Sequence, residues 1–193
     1  PGGARAPGSP PARCGGSGCP AARGGPPASP RPRGARPRGA FPRWRRDVIW
    51  GEVNDGNGFY GLGGVSGHAG LFSTAGETFK IARQFLAGTT TLLKPETCAL
   101  FRTNFTKGLN EARSIAFQLA ETPDSTASQA LSPDSFGHLG FTGTSLWIDP
   151  QNERIFILLT NRTHARALPF QNINSVRRRF HELSAKMLDE RTK

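Results

Sequence analysis

The sequence predicts an α+β domain, an antiparallel sheet flanked by helices, behind a disordered N-terminal tail. Three observations lead there. The composition changes abruptly near Asp47. Two strand-like runs, 138–149 and 155–159, are separated by five residues, which suits a hairpin. Apolar residues at helical spacing occur on both sides of those runs.

Residues 1–46 hold ten arginines, eleven prolines and ten glycines, and no Asp, Glu or Lys. The whole chain carries a formal +11, so subtracting +10 leaves +1 for residues 47–193. The basic character therefore belongs to the tail. A segment this poor in apolar residues cannot offset the entropy of ordering, so 1–46 reads as disordered and 47–193 as the folded part. An arginine-rich tail can bind nucleic acid or another acidic surface through its charge, which defines a second kind of function, a non-catalytic interaction module. The tail's Pro and Gly density excludes the amphipathic helix of a transit peptide. No apolar run is long enough to span a bilayer.

The elements follow in order. Residues 51–72 are glycine-rich and read as a structured loop with several tight turns. A helix begins near Ser73, where Thr74 and Glu77 have capping-box spacing. Phe79, Ala82, Phe85 and Leu86 form its apolar face, and Gly88 stops it. A short helix starts at Pro95, a residue suited to a first turn. Residues 114–120 alternate like a strand, and 121–137 form a polar loop. The strand 138–149 comes next. The run 155–159 is apolar at every position, as in a strand covered on both faces. In the last helix, Ile173, Val176, Phe180, Leu183 and Met187 mark the core side. Its cluster Arg177, Arg178 and Arg179 reads as a solvated face, with Arg178 spaced to pair with Glu182 and Glu182 with Lys186.

The residues suited to chemistry cluster at one place. His138 can donate or accept a proton near neutral pH, since an unperturbed imidazole titrates at about 6.5. Gly140 has no side chain, so another chain can approach the backbone there. His68, between two glycines, reads as a residue that packs or hydrogen-bonds its own loop. The four histidines (His68, His138, His164, His181) lack ligand spacing, and Cys14 and Cys19 lack a second pair, so neither metal nor cofactor is expected.

The block from Gly137-His138-Leu139-Gly140-Phe141-Thr142-Gly143 to Pro150 resembles the third active-site motif of the serine β-lactamase and penicillin-binding-protein superfamily, in its histidine-bearing form. Leu158-Leu159-Thr160-Asn161-Arg162 and the upstream block from Gly63 to Ala75 also resemble that group. The resemblance covers roughly residues 50–190. It implies a partial β-lactamase/transpeptidase-like fold and a parent activity of hydrolysis or transfer at an ester, amide or β-lactam through an acyl-serine. It implies a site built on His138, Gly140 and Phe141, with the Phe141 N–H as one oxyanion-hole donor, an interaction worth roughly 3 kcal/mol in other hydrolases. Leu139 departs from the pattern, because leucine lacks the hydroxyl that threonine offers there.

The Ser-x-x-Lys and Tyr-x-Asn motifs of that superfamily are absent from these residues; the sole tyrosine, Tyr60, is followed by Gly61-Leu62. Nucleophilic catalysis needs serine and base together. The chain also opens on Pro1 rather than methionine. The expectation is therefore the C-terminal part of a hydrolase, inactive as it stands. It would take a small acyl substrate once completed, and would self-associate through an exposed apolar face.

Overall fold

The computed structural model describes residues 45–164, 166 and 168–191. The chain divides into two units, Pro1–Trp50 and Gly51–Lys193. In the first, residues 45–50 have no helix or strand; the expected disorder of 1–46 otherwise lies outside the described residues.

The second unit is the expected α+β arrangement, a four-stranded antiparallel sheet with flanking helices. The glycine-rich loop contains one π-helical turn, Asn57–Gly61. Helix α1 spans Ala75–Ala82, and Thr74 caps it by accepting from the Glu77 N–H at 3.2 Å. A 3₁₀ turn, Arg83–Phe85, continues it. Helix α2 spans Pro95–Leu100, with Pro95 in its first turn. The strands are β1 Gln118–Leu119, β2 Phe136–Leu139, β3 Ser145–Asp149 and β4 Arg154–Leu158, ordered as in sequence. Helix α3 spans Asn174–Arg191.

Alternation along the strands divides two cores. Phe136 and Ile148 face the first core, with Ala82, Leu86, Phe117 and Leu119. There the rings of Phe85, Phe101, Phe117 and Phe136 meet edge to face at 4.8–5.7 Å. Trp147 and Phe156 face the second core, with Ala127, Leu131 and Ala185 of α3.

Four sequence expectations change. The run 138–149 is not one strand: the chain reverses at 140–144, so β2 and β3 form a hairpin with Leu139 opposite Ser145. The strand expected over 114–120 shrinks to Gln118–Leu119, because Ala116 takes a positive φ of 64° and turns the chain back, bridging Arg113 to Gln118. Strand β4 lies at the sheet edge and is not covered on both faces: only Phe156 is buried, and Leu159 is 49% exposed.

The fourth change is the rotation of α3. Arg177, His181 and Ala185 are buried, Val176, Leu183 and Met187 are exposed, and Ile173 and Phe180 are half-buried, Phe180 against the second core. Two hydrogen bonds of His181 set that rotation. Its Nδ1 lies 2.6 Å from the Thr126 carbonyl and its Nε2 lies 3.3 Å from the Ser145 hydroxyl. A carbonyl only accepts, so Nδ1 carries the proton and Nε2 accepts from Ser145. Arg178 donates to the carbonyls of Asp124 and Ser125 instead of pairing with Glu182, which Arg179 approaches at 3.7 Å.

The polar loop before β2 is a packed plug. Thr122, Thr126, Ala127, Leu131, Ser132 and Ser135 are all buried. Thr126 accepts from the Trp147 indole at 3.1 Å. Ser132 donates its N–H and hydroxyl to Asp149, at 3.1 and 2.6 Å.

Candidate active site

The β2–β3 hairpin positions the three candidate residues. His138 is in β2, opposite Leu146. Strand β1 pairs only with Phe136 and Gly137, so His138 and Leu139 extend past it. The imidazole of His138 is exposed and forms no hydrogen bond with a described residue. Gly140 and Phe141 are not in the strand but in the turn that ends it.

The Gly140–Thr144 turn is closed by two backbone bonds, Gly140 N–H to the Thr144 carbonyl at 2.9 Å and Gly143 N–H to the Gly140 carbonyl at 3.0 Å. Gly143 has a φ of 110°, which favours glycine, and a Cβ there would strike the Thr160 hydroxyl. A Cβ at Gly140 would strike the Thr144 hydroxyl. A side chain at 140 would therefore push the Thr144 hydroxyl aside, quite apart from any substrate.

All five carbonyl oxygens of the turn are engaged. Arg177 donates through Nη2 to Gly140 and Thr144, at 2.7 and 3.1 Å, and through Nε to Gly143 at 3.1 Å. Arg162 donates through Nε to Phe141 at 2.8 Å, and its backbone N–H bonds Thr142 at 2.7 Å. The Phe141 N–H, by contrast, has no acceptor among the described residues. The Phe141 ring is 62% exposed, and the Arg162 guanidinium carbon lies 5.2 Å from its centroid.

Arg177 is only 5% exposed. Burial, and secondarily the nearby Arg162 charge, lower its pKa. A guanidinium stays protonated at physiological pH regardless. Its named side-chain partners are the three carbonyls and the Asn174 side chain, the latter at 2.9 Å. A cation held by aligned carbonyl dipoles fixes all of them at once.

The glycine-rich loop is tied separately. Asp55 Oδ1 accepts from the Gly58 N–H at 2.6 Å and meets His68 Nε2 at 3.1 Å. These bonds, the Gly58 one first, hold the Asp55 carboxyl below its usual pKa. Ser66 donates to the Ala69 carbonyl at 3.2 Å, inside the same loop. His68 thus serves the loop and does not join His138. No group of three His, Cys, Asp or Glu side chains among the described residues is placed to hold a metal ion. No helix among them is long and apolar enough to cross a membrane.

Sequence reasoning missed Arg177, which it placed on a solvated face. Nothing in a run of three arginines marks which one turns inward. Arg162 was visible only as the end of the Leu158–Arg162 block.

The hairpin thus places the exposed His138 three residues before Phe141, whose N–H has no acceptor among the described residues. Comparison with known proteins gives the family. The chain belongs to the Beta-lactamase family, whose model matches residues 13–176. It is 35% identical over 125 residues to a protein of Escherichia coli (strain K12) named "Putative D-alanyl-D-alanine carboxypeptidase", with 63% of this chain and 29% of that protein covered. A protein of the same name from Salmonella paratyphi B (strain ATCC BAA-1250 / SPB7) is 34% identical over 131 residues, again covering 63% and 29%. The chain thus spans less than a third of the length of these relatives. The family is one of serine hydrolases.

Proposed function

We propose that Gly51–Lys193 supplies one wall of an acyl-serine hydrolase site. The Phe141 N–H donates to the oxyanion of the tetrahedral intermediate. The end of β2 beyond β1, His138 to Gly140, is the lane along which the substrate lies. His138 hydrogen-bonds substrate or takes part in proton transfer beside it. The single observation that carries this reading is the turn in which every carbonyl has a donor while the Phe141 N–H has no acceptor. An N–H held in a rigid turn is a preorganised donor, and such donors stabilise a developing oxyanion without reorganisation at the moment of reaction.

The substrate class is an acyl compound, an ester, amide or β-lactam. The names of the relatives favour a peptide amide ending in D-alanine. With leucine at 139 and no hydroxyl there, grip on a terminal carboxylate would fall to His138. These 193 residues contain neither Ser-x-x-Lys nor Tyr-x-Asn, so the chain by itself forms no acyl-enzyme.

Two readouts test the proposal. Incubation with a fluorescent penicillin or fluorophosphonate probe is expected to leave the chain unlabelled; stoichiometric labelling of any serine would overturn the inactive reading. Titration of the ¹⁵N-labelled chain with methylphosphonate, a tetrahedral anion, is expected to move the Phe141 amide resonance. A Phe141 resonance that stays fixed while others move would remove it as the oxyanion donor.

A further inference from the structure

We infer that Arg177 is the positioning residue of this site: from α3 it fixes the Gly140–Phe141 peptide so that the Phe141 N–H points away from the protein. The inference rests on the reading of Phe141 as a donor, but its geometry stands separately. A trans peptide is planar, with C=O and N–H on opposite sides. The Gly140 carbonyl receives two donors on the protein side, Arg177 Nη2 at 2.7 Å and the Gly143 N–H at 3.0 Å. Holding that oxygen inward aims the N–H of the same peptide outward. Arg177 also takes the Gly143 and Thr144 carbonyls, so one planar guanidinium fixes both ends of the turn.

The guanidinium is itself held in place. Asn174 accepts from its Nη1 at 2.9 Å. One helical turn further on, His181 hydrogen-bonds Ser145 and Thr126, which fixes the rotation of α3. A lysine at 177 would keep the charge. It would lack the planar fork that reaches three carbonyls from one side.

The test uses ¹⁵N relaxation, amide exchange and the methylphosphonate titration on the full 193-residue chain. In the wild type, the Phe141 amide is expected to be as ordered as those of β2 and β3, with an order parameter of about 0.85. Its exchange with solvent is expected to be fast, since it has no acceptor. An order parameter below about 0.6 at Phe141 would overturn the proposal from the wild type alone, whatever the variants do. Arg177→Lys is expected to lower that order parameter and weaken methylphosphonate binding at Phe141 about tenfold, the equivalent of about one charge-assisted bond. Arg179→Lys, at an exposed position, is expected to change neither. An Arg177→Lys protein with unchanged Phe141 order would refute the positioning role. An ordered, outward Phe141 N–H that ignores methylphosphonate would leave Arg177 as positioner and sink the oxyanion reading instead.

Discussion

Asp149 ends β3 and ties three segments together, so its replacement by asparagine is a sharp test of how this hairpin is held. The carboxylate is 1% exposed. It accepts four hydrogen bonds: the Ser132 N–H at 3.1 Å, the Ser132 hydroxyl at 2.6 Å, the Asn152 N–H at 3.2 Å and the Asn152 amide at 2.9 Å. Burial alone would raise its pKa. The Ser132 and Asn152 bonds outweigh that and hold it below the usual value. Asparagine keeps one acceptor oxygen and turns an NH₂ toward donors. About two of the four bonds are lost, each worth roughly 1.5–3 kcal/mol when the acceptor is charged, less a discount because Asn152 is exposed. The expected cost of Asp149→Asn is about 2–4 kcal/mol, a large share of a typical stability of roughly 5–15 kcal/mol. Urea unfolding should show a lower midpoint with an unchanged slope. The pH dependence has a definite sign. A carboxyl whose folded pKa is depressed contributes stability above its unfolded value, about 3.9, and loses it as pH falls through the lower folded value. The wild type should lose that component on acidification and the variant should not. A cost below about 0.5 kcal/mol at neutral pH would refute the reasoning, since that is the range of ordinary surface changes.

Further outcomes follow from other contacts. Burial lowers the His181 pKa, so the folded state favours the neutral ring; its contribution is present above the unfolded value of about 6.5 and is lost as pH falls. Urea midpoints should drop between about pH 7.5 and about pH 5, and His181→Gln should reduce that slope. Thr74→Ala removes the α1 cap and should cost about 1 kcal/mol in the same assay. Deleting residues 1–46 should leave the melt of the remainder within about 1 kcal/mol by circular dichroism, and a larger loss would make the tail part of the fold. The groove between β4 and α3, lined by Ile155, Ile157, Phe180, Met187 and Leu188, should drive self-association in light scattering, and Met187→Lys should weaken it; a monodisperse wild type would count against this.

The elements with strong local signals were legible in the sequence. Thr74 and Glu77 announced the start of α1, and Pro95 that of α2, because a cap and a first-turn proline act within a few residues. The pair β3–β4 was legible from spacing. The reversal at Gly140–Thr144 was not, because Gly-Phe-Thr-Gly sits inside a run of strand-forming residues. The turn is held by its own two backbone bonds and by Arg162 and Arg177, which come from distant parts of the chain. The plug before β2 was read as a polar loop for a related reason. Its serines and threonines look soluble until partners such as Asp149, Trp147 and His181 meet them from distant parts of the chain.

The rotation of α3 shows most clearly why the site was only half readable. Helical periodicity of Ile173, Val176, Phe180, Leu183 and Met187 marked one face as buried, yet the fully buried face carries Arg177, His181 and Ala185, and only Ile173 and Phe180 of the expected stripe are half-buried. A hydrophobic pattern weighs apolar area alone. Here the adjacent face is selected by polar groups that need specific partners: three carbonyls for Arg177, and a carbonyl and a hydroxyl for His181. An unpaired buried guanidinium costs far more than an exposed valine or methionine. Once the turn offers its carbonyls, the arginine face goes inward and Val176, Leu183 and Met187 of the apolar stripe are left outside. The same choice that aims the Phe141 N–H outward thus exposes the surface on which this chain is expected to self-associate. Satisfying the turn and leaving an apolar face uncovered are two results of one helix rotation.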